Sequence, residues 1–306
     1  MVSVPRPSPQ TRRRPSAVAV GNFDGLHLGH RRILDRLAGT ARRLGLEPIV
    51  LTFSPHPEKA LGRTSLRMIQ PLSRRVEGLR EAGVRSVTVI AFSRAFAAMP
   101  ADRFITELLL GRLRARAVVV GSGFRFGRER AGTVADLRAM GRRLGFRVEI
   151  VPPVRKDRAL VSSSRIRMLL DAGRVAEAGR LLGRPYAIEG LVVRGRARGR
   201  ALGFPTANIR TTNEILPAGI FVARLETGRR SLPALAYIGA RPTFAEKGLS
   251  VEVYALEFKG DLYGRRVRVA LLEKLRSDRA FPDASALVRQ MIRDEAAARA
   301  FFLRRP

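Results

Sequence analysis

From Ala17 to about Leu182 the chain alternates two hydrophobic patterns. The short apolar runs Ala17–Val20, Pro48–Phe53, Ser86–Ala91, Ala117–Val120 and Arg147–Val151 have the length of buried strands. Between them, apolar positions recur every three or four residues. Ile33, Leu34, Leu37, Ala41 and Leu44 mark one amphipathic helix, and similar stretches cover 71–82, 101–111 and 133–144. Strands alternating with helices predict a parallel sheet with helices on its faces. Ligands of such sheets bind at the carboxyl ends of the strands.

After Gly183 the period changes. Ile188–Val193, Ile220–Leu225, Ala234–Ile238, Val251–Phe258 and Arg266–Leu272 are short, closely spaced and separated by glycine and proline. They predict antiparallel β structure closed into a barrel. A helix is expected from about Asp283 to Phe302, capped by Asp283, with Ala286, Leu287, Gln290 and Met291 opening its periodic face. The expected organisation is a disordered basic tail over 1–16, an α/β domain over 17–182 and a barrel domain over 183–306.

Composition narrows the function classes. The absence of cysteine excludes disulfides, thiolate metal sites and a cysteine nucleophile. No apolar stretch is long enough to predict a membrane-spanning helix, and the tail lacks the apolar core of a secretory signal. A cytoplasmic location is the expectation. The net charge of +32 points towards polyanionic partners. Its distribution points away from a dedicated nucleic-acid face. Only five of the 58 basic residues are lysine, and arginines occur in nearly every segment, including helices of structural appearance (Arg74, Arg75, Arg80). The basic runs lack the interleaved aromatics of single-strand binders.

Candidate chemistry in the first half follows the first strand. Gly21-Asn22-Phe23-Asp24-Gly25-Leu26-His27-Leu28-Gly29-His30 joins that strand to the first long helix. Gly21 and Gly25 allow tight turns and a close ligand, and the helix start offers free N–H groups to a phosphate. His27 and His30 share the first turn and can stabilise charge in phosphoryl or nucleotidyl transfer. A turn with two exposed histidines fits the bare spacing too. Ser162, Ser163 and Ser164 precede a helix, where hydroxyls cap N–H groups and meet phosphates, and Arg167 adds a fork of donors. His56 stands between prolines after a strand, either packed in its loop or touching ligand.

These motifs resemble those of the bacterial bifunctional riboflavin kinase/FAD synthetases. Gly21–His30 is similar to their G-x-F-D-G-x-H-x-G-H, and Thr52–Pro57 to T-F-x-P-H-P. Val119–Gly127 is similar to V-G-x-[N/D]-F-x-F-G, and Val161–Arg167 to I-S-S-[S/T]-x-I-R. The resemblance implies a Rossmann-like nucleotidyltransferase domain. Gly21, Phe23, Asp24, Gly25, Ser162, Ser163, Ser164 and Arg167 would bind ATP or phosphate there, and His27 and His30 would be catalytic. His56 and Phe124 would bind flavin. One position departs: Gly123 stands where the family carries Asn or Asp, and supplies no side-chain hydrogen bond.

In the second half, Gly190–Asn208 resembles G-x-V-x-x-G-x-x-x-G-R-x-L-G-x-P-T-A-N of the riboflavin kinase domain. Gly195, Gly199 and Gly203 leave backbone N–H groups open to phosphates, and Thr206 and Asn208 offer oxygen ligands suited to Mg²⁺. Glu252, in Val251-Glu252-Val253-Tyr254, matches the glutamate that serves the family as general base; a strand glutamate facing solvent fits the alternation equally. Gly239–Phe244, Asp261–Gly264 and Leu275-Arg276 match further landmarks, with Arg276 implied to contact flavin or to form a surface ion pair. Arg194 and Arg196 replace the family's frequent His and Asp.

The resemblance spans about 17–302 and implies two reactions. ATP phosphorylates riboflavin to FMN, and a second ATP adenylylates FMN to FAD with release of pyrophosphate. The implied partners are riboflavin, FMN, ATP and Mg²⁺, with no membrane and no dedicated nucleic-acid partner. Two other readings stay open on the residues: a kinase whose adenylyltransferase is impaired at Gly123, and a non-enzymatic basic nucleic-acid-binding or regulatory protein.

Overall fold

The computed structural model describes residues 14–62, 65–195, 199, 203–240, 249–258 and 260–304. Most of the expected tail, Arg196–Arg198 and Arg200–Leu202 of the glycine-rich loop, and Arg241–Phe244 lie outside the described residues. The chain divides into two units, Met1–Val161 and Ser162–Pro306.

In the first unit the order is β1 (Ser16–Val20), α1 (Leu28–Leu44), β2 (Glu47–Ser54), α2 (Pro57–Ala60), α3 (Leu72–Glu81) and β3 (Ser86–Ala91). Then come α4 (Arg94–Ala97), α5 (Ala101–Arg103), β4 (Ala115–Gly121), α6 (Val134–Leu144) and β5 (Arg147–Val151). A small hairpin, β6 (Arg155–Lys156) and β7 (Ala159–Leu160), ends the unit. The five long strands pair in parallel in the order β3-β2-β1-β4-β5. Alternation on β1 divides the core in two. Val18 and Val20 pack with Phe53, Phe104 and Phe126 on one face. Ala17 and Ala19 face Leu34, Leu37 and Ala41 of α1 on the other. The expected α/β layering is therefore present, with β1 at the centre of the sheet and its carboxyl end leading into the loop at Gly21.

The 101–111 stretch is not one α-helix. α5 stops at Arg103, and Phe104–Arg112 forms a π-helical segment. Leu113 N–H donates to the Leu108 carbonyl, five residues back, at 3.0 Å. This period aligns Phe104 with Leu109 and Leu108 with Leu113, and all four are buried. An α period would set the members of each pair on different faces.

The second unit opens with α7 (Ser163–Asp171) and α8 (Val175–Leu182), which pack on each other; α8 also packs on the barrel strands that follow. Those strands are β8 (Tyr186–Val193), β9 (Ala207–Thr211), β10 (Gly219–Thr227), β11 (Arg230–Ala240), β12 (Leu249–Ala255) and β13 (Arg266–Arg276). They close an antiparallel barrel in the order β10-β11-β12-β9-β8-β13. The final helix α9 (Ala284–Arg304) lays Ala298 and Phe301 over Val222 and Leu235. Asp283 accepts the Ala286 N–H at 2.7 Å, the cap its position predicts. β9 is the strand the hydrophobic pattern misses. It pairs Asn208 with Glu252 and Ala207 with Val253 of β12, which puts the Pro-Thr-Ala-Asn segment beside the glutamate.

Candidate functional sites

The first site is built at the carboxyl ends of β1 and β2. Gly21 N–H is held by the Leu51 carbonyl at 3.1 Å as the chain leaves β1. The loop then turns through left-handed conformations at Phe23, Gly25 and Leu26. Phe23 pays a backbone cost there that its burial offsets: the ring is fully enclosed and lies against Gly21, where a Cβ would come within 3.2 Å of it. The side chain of Phe23 is thus core, and only its backbone is left for a phosphate.

His27 is the N-cap of α1. Its Nδ1 accepts the His30 N–H at 3.2 Å, so the neutral ring carries its proton on Nε2. The His27 and His30 rings stack at 3.6 Å with 13° between planes. Gly29 makes room for this, since a Cβ there would lie 3.1 Å from the His27 ring. Burial, then the neighbouring His27, then Arg75, hold His30 well below the ordinary imidazole pKa. Its Nδ1 is buried and has no hydrogen-bond partner. The pair therefore meets a substrate as neutral rings that donate N–H bonds.

Asp24, expected to meet phosphate, is bonded to backbone here. It is 1% exposed, and its carboxylate accepts N–H bonds from Ile69 at 3.1 Å and Gln70 at 3.3 Å. Asp24 ties the glycine loop to the segment before α3. His56 is the N-cap of α2 through Nδ1, and its Nε2 lies 2.8 Å from the Asn22 amide. Both residues line a cavity of about 510 Å³.

Six phenylalanines line the same cavity, together with charged residues such as Arg125 and Glu129. Phe53, Phe92, Phe96, Phe104, Phe124 and Phe126 form a chain of ring contacts, with centroids 5.4–6.5 Å apart. Phe53, Phe124 and Phe126 fall within the quoted motifs, whereas Phe92, Phe96 and Phe104 do not. Gly123 opens onto the same cavity, and a Cβ there would meet nothing within 4 Å. The glycine is not demanded by space or by a left-handed backbone.

Arg75 is a correction to the picture of uniformly solvated arginines. It is 2% exposed, with Nη1 donating to the Asn22 carbonyl and Nη2 to the Phe53 carbonyl, each at 2.8 Å. In a chain this rich in arginine, no local signal separates it from its exposed neighbours.

In the second unit, Ser162 caps α7, its hydroxyl accepting the Arg165 N–H at 3.3 Å. Ser163 and Ser164 open the first turn and Arg167 follows on the same helix.

The barrel site centres on Glu252. Val251 and Val253 point into the core at 3% and 1% exposure, so the alternation turns Glu252 to the other face. There the Thr206 hydroxyl donates to Glu252 Oε2 at 3.1 Å, and both line a cavity of about 960 Å³. Gly195 lies so close to Asn208 that a Cβ would come within 2.1 Å of its amide nitrogen. A Cβ at Gly199 would come within 2.3 Å of the Phe204 carbonyl, and Gly203 takes φ +86°. The three glycines fold the chain tightly around Thr206 and Asn208.

Arg276 closes the far wall. Its guanidinium makes a bidentate pair with Asp294 of α9, at 3.1 and 2.8 Å, and lies 5.6 Å from the Phe281 ring centroid. It lines the cavity while held by that pair. Tyr237, opposite Glu252 in the ladder, donates to Asp278 Oδ2 at 2.7 Å. Burial and the Asp278 carboxylate push the phenol well above the usual tyrosine range, so it stays a donor.

Among the described residues no group of three or more His, Asp or Glu side chains is placed to hold a metal ion. Thr206 and Asn208 offer a hydroxyl and an amide oxygen. Such a set suits a Mg²⁺ that brings most of its ligands as water and nucleotide phosphate.

The FAD synthetase family matches residues 9–165, and the riboflavin kinase family matches residues 182–302. The bifunctional riboflavin kinase/FMN adenylyltransferase of Escherichia coli (strain K12) is 37% identical over 289 residues, covering 93% of this chain and 92% of that one. The protein of the same description from Pseudomonas fluorescens is 36% identical, covering 94% of this chain and 93% of that one. A crystal structure described as a macrolide-efflux protein from Streptococcus pneumoniae is 33% identical, with a TM-score of 0.87 and 95% of each chain covered. No described helix of the present chain is long and apolar enough to cross a membrane. Two family matches in the expected order, with relatives similar over almost the full length, place the chain in the bifunctional riboflavin kinase/FMN adenylyltransferase family.

Proposed function

We infer that this chain converts riboflavin to FMN at the barrel and FMN to FAD at the parallel sheet, using ATP in both steps. The carrying observation is the cross-strand pairing of Asn208 with Glu252, with Thr206 hydrogen-bonded to the same carboxylate at the cavity wall. In the first reaction Glu252 takes the proton of the terminal ribityl hydroxyl. The alkoxide oxygen attacks the γ-phosphorus of ATP, the bond to the β-bridging oxygen breaks, and ADP leaves. Thr206 and Asn208 would hold Mg²⁺, which would supply charge neutralisation for the phosphates. The backbone about Gly195, Gly199 and Gly203 cradles those phosphates, and Arg276 shapes the flavin side of the cavity.

In the second reaction a phosphate oxygen of FMN attacks the α-phosphorus of ATP, and the bond to pyrophosphate breaks. His27 and His30 donate to the oxygens that gain charge. The backbone at Gly21–Gly25 receives phosphate. The phenylalanine-lined cavity, with Asn22 and His56 at its wall, suits a flat tricyclic ring by face and edge contacts. No covalent enzyme intermediate is involved. The same reading puts the protein in the cytoplasm.

The test is to incubate purified protein with riboflavin, ATP and Mg²⁺, with and without EDTA, and to resolve the flavins by chromatography. FMN and FAD are expected, and neither with the metal chelated. FMN without FAD would establish the kinase-only reading that Gly123 raises. No flavin conversion would remove both enzymatic readings.

A further inference from the structure

Arg75 is the buried charge that the two reactions leave unused. A guanidinium at 2% exposure is expensive to desolvate, and an apolar side chain of similar volume fills space at lower cost. Its geometry suggests what the charge does. Nη1 and Nη2 diverge to two carbonyls from different parts of the chain, Asn22 and Phe53, both at 2.8 Å. Asn22 belongs to the loop that carries His27 and His30, and its amide lies 2.8 Å from the His56 ring. Phe53 is the last but one residue of β2, three before His56, and lines the cavity. One planar fork thus fixes the histidine-pair loop against the strand that leads to the cavity.

The surrounding groups support a cation held for position. Thr52 donates a second bond to the same Asn22 carbonyl, at 3.1 Å. Asp24 lowers the cost of the buried charge from a distance while its own oxygens serve Ile69 and Gln70. Nε of Arg75 is buried without a hydrogen-bond partner, so the side chain is placed for its two terminal nitrogens and not for full satisfaction of its own donors. A lysine cannot make this pair of bonds with one fixed geometry.

We propose that Arg75 is a positioning residue for adenylyl transfer, clamping the loop of His27 and His30 to the end of β2 so that the two substrates meet in line. The proposal rests on the reading that this unit adenylylates FMN. It adds a residue that touches neither substrate and sits on a helix away from every motif.

The experiment uses the full chain with Arg75→Met and Arg75→Lys. FAD formation from supplied FMN and ATP is measured beside FMN formation from riboflavin, melting is followed by circular dichroism, and histidine ring signals are recorded by NMR. Only three histidines contribute, so His27, His30 and His56 can be assigned separately. Arg75→Met is expected to lower kcat for FAD formation about 100-fold per folded molecule, with little change in KM for ATP and with FMN formation intact. The His30 ring is expected to take up its proton at a higher pH, because a neighbouring positive charge is gone. Arg75→Lys keeps the charge but not the fork. It should leave the His30 titration in place and still lose about 10-fold in kcat.

FAD formation within twofold of the unaltered protein in folded Arg75→Met, with the His30 titration unmoved, overturns the proposal. A loss that merely follows the folded fraction does the same. If Arg75→Met does not fold, Arg75→Lys decides: an undiminished kcat overturns the clamp, and a slower kcat at unchanged melting temperature supports it. Absence of FAD from the unaltered protein would instead refute the adenylylation reading.

Discussion

The two sites face the same co-substrate with different side chains. At the barrel a carboxylate, Glu252, lies at the cavity wall with a hydroxyl 3.1 Å from it. At the parallel sheet the loop's own carboxylate, Asp24, is turned onto backbone N–H groups, and two stacked histidines stand at the helix start. On the proposed reading, the difference follows the nucleophiles. A ribityl hydroxyl keeps its proton at neutral pH and needs a base to remove it. The phosphate of FMN, with a second pKa of about 6, is already an anion. A carboxylate beside it would repel it, and neutral N–H donors serve the developing charge on ATP instead. On the proposed reading, one site removes a proton and the other receives anions.

Substituting the base should break the comparison hardest. Glu252→Gln is expected to reduce FMN formation from riboflavin by about 100-fold to 10,000-fold. FAD formation from supplied FMN should remain within twofold. His30→Ala should do the reverse, cutting FAD formation by about 100-fold to 1,000-fold and sparing the kinase step. Initial rates from chromatographic separation of the flavins check both. Loss of both activities in either folded variant would show that the sites are not chemically separate. A steric change sharpens the same division. Gly195→Ala would press its Cβ to within 2.1 Å of the Asn208 amide and displace it. A fall of about 10-fold to 100-fold in FMN formation is expected, again with FAD formation unaffected.

The histidine pair also makes the first unit pH-sensitive. His30 is held neutral in the folded protein, whereas in the unfolded chain it titrates near 6.5. Above that pH both states carry a neutral ring, and the group contributes no pH dependence. As the pH falls below about 6.5 the unfolded chain binds the proton first, so stability is lost until the folded ring also protonates. The slope approaches about 1.4 kcal/mol per pH unit for one proton. Melting of the unaltered protein between pH 7.5 and 5.5 should show it, and His30→Gln should flatten that part of the curve. Equal slopes in the two proteins would place the buried titration elsewhere.

How far the sequence discloses the two sites depends on whether the signal is local. The parallel sheet is legible because each strand is a contiguous apolar run, and Asp283 is legible as a cap because capping is decided within three residues. β9 is hidden because Ala207–Thr211 buries only Ile209 and takes its place from pairing with distant strands. The π-helical segment at Phe104–Arg112 is hidden because its period is chosen by what Leu108 and Leu113 pack against. Motifs single out His27, His30, Glu252 and Thr206 as candidates. Of the six phenylalanines of the cavity, Phe53, Phe124 and Phe126 lie in motifs, while Phe92, Phe96 and Phe104 lie in none and join them only in the fold. Arg75 is masked by a chain-wide excess of arginine, and only burial distinguishes it.

Gly123 supplies the mildest test of the contrast. The anion-receiving site needs donors and a correctly seated flavin, not a base, so a missing side chain on the cavity wall should weaken binding more than chemistry. The space beside Gly123 is empty to 4 Å, and its backbone is not left-handed. Gly123→Asn should therefore fold without strain, with stability within about 0.5 kcal/mol of the unaltered protein. An amide there can add one hydrogen bond to the flavin, which corresponds to a fall in KM for FMN of about 3-fold to 10-fold. kcat for FAD formation should hardly move, because nothing at the α-phosphate has changed. A rise in kcat with KM constant would mean that this wall acts in the transition state, and would draw Gly123 into the chemistry now assigned to His27 and His30.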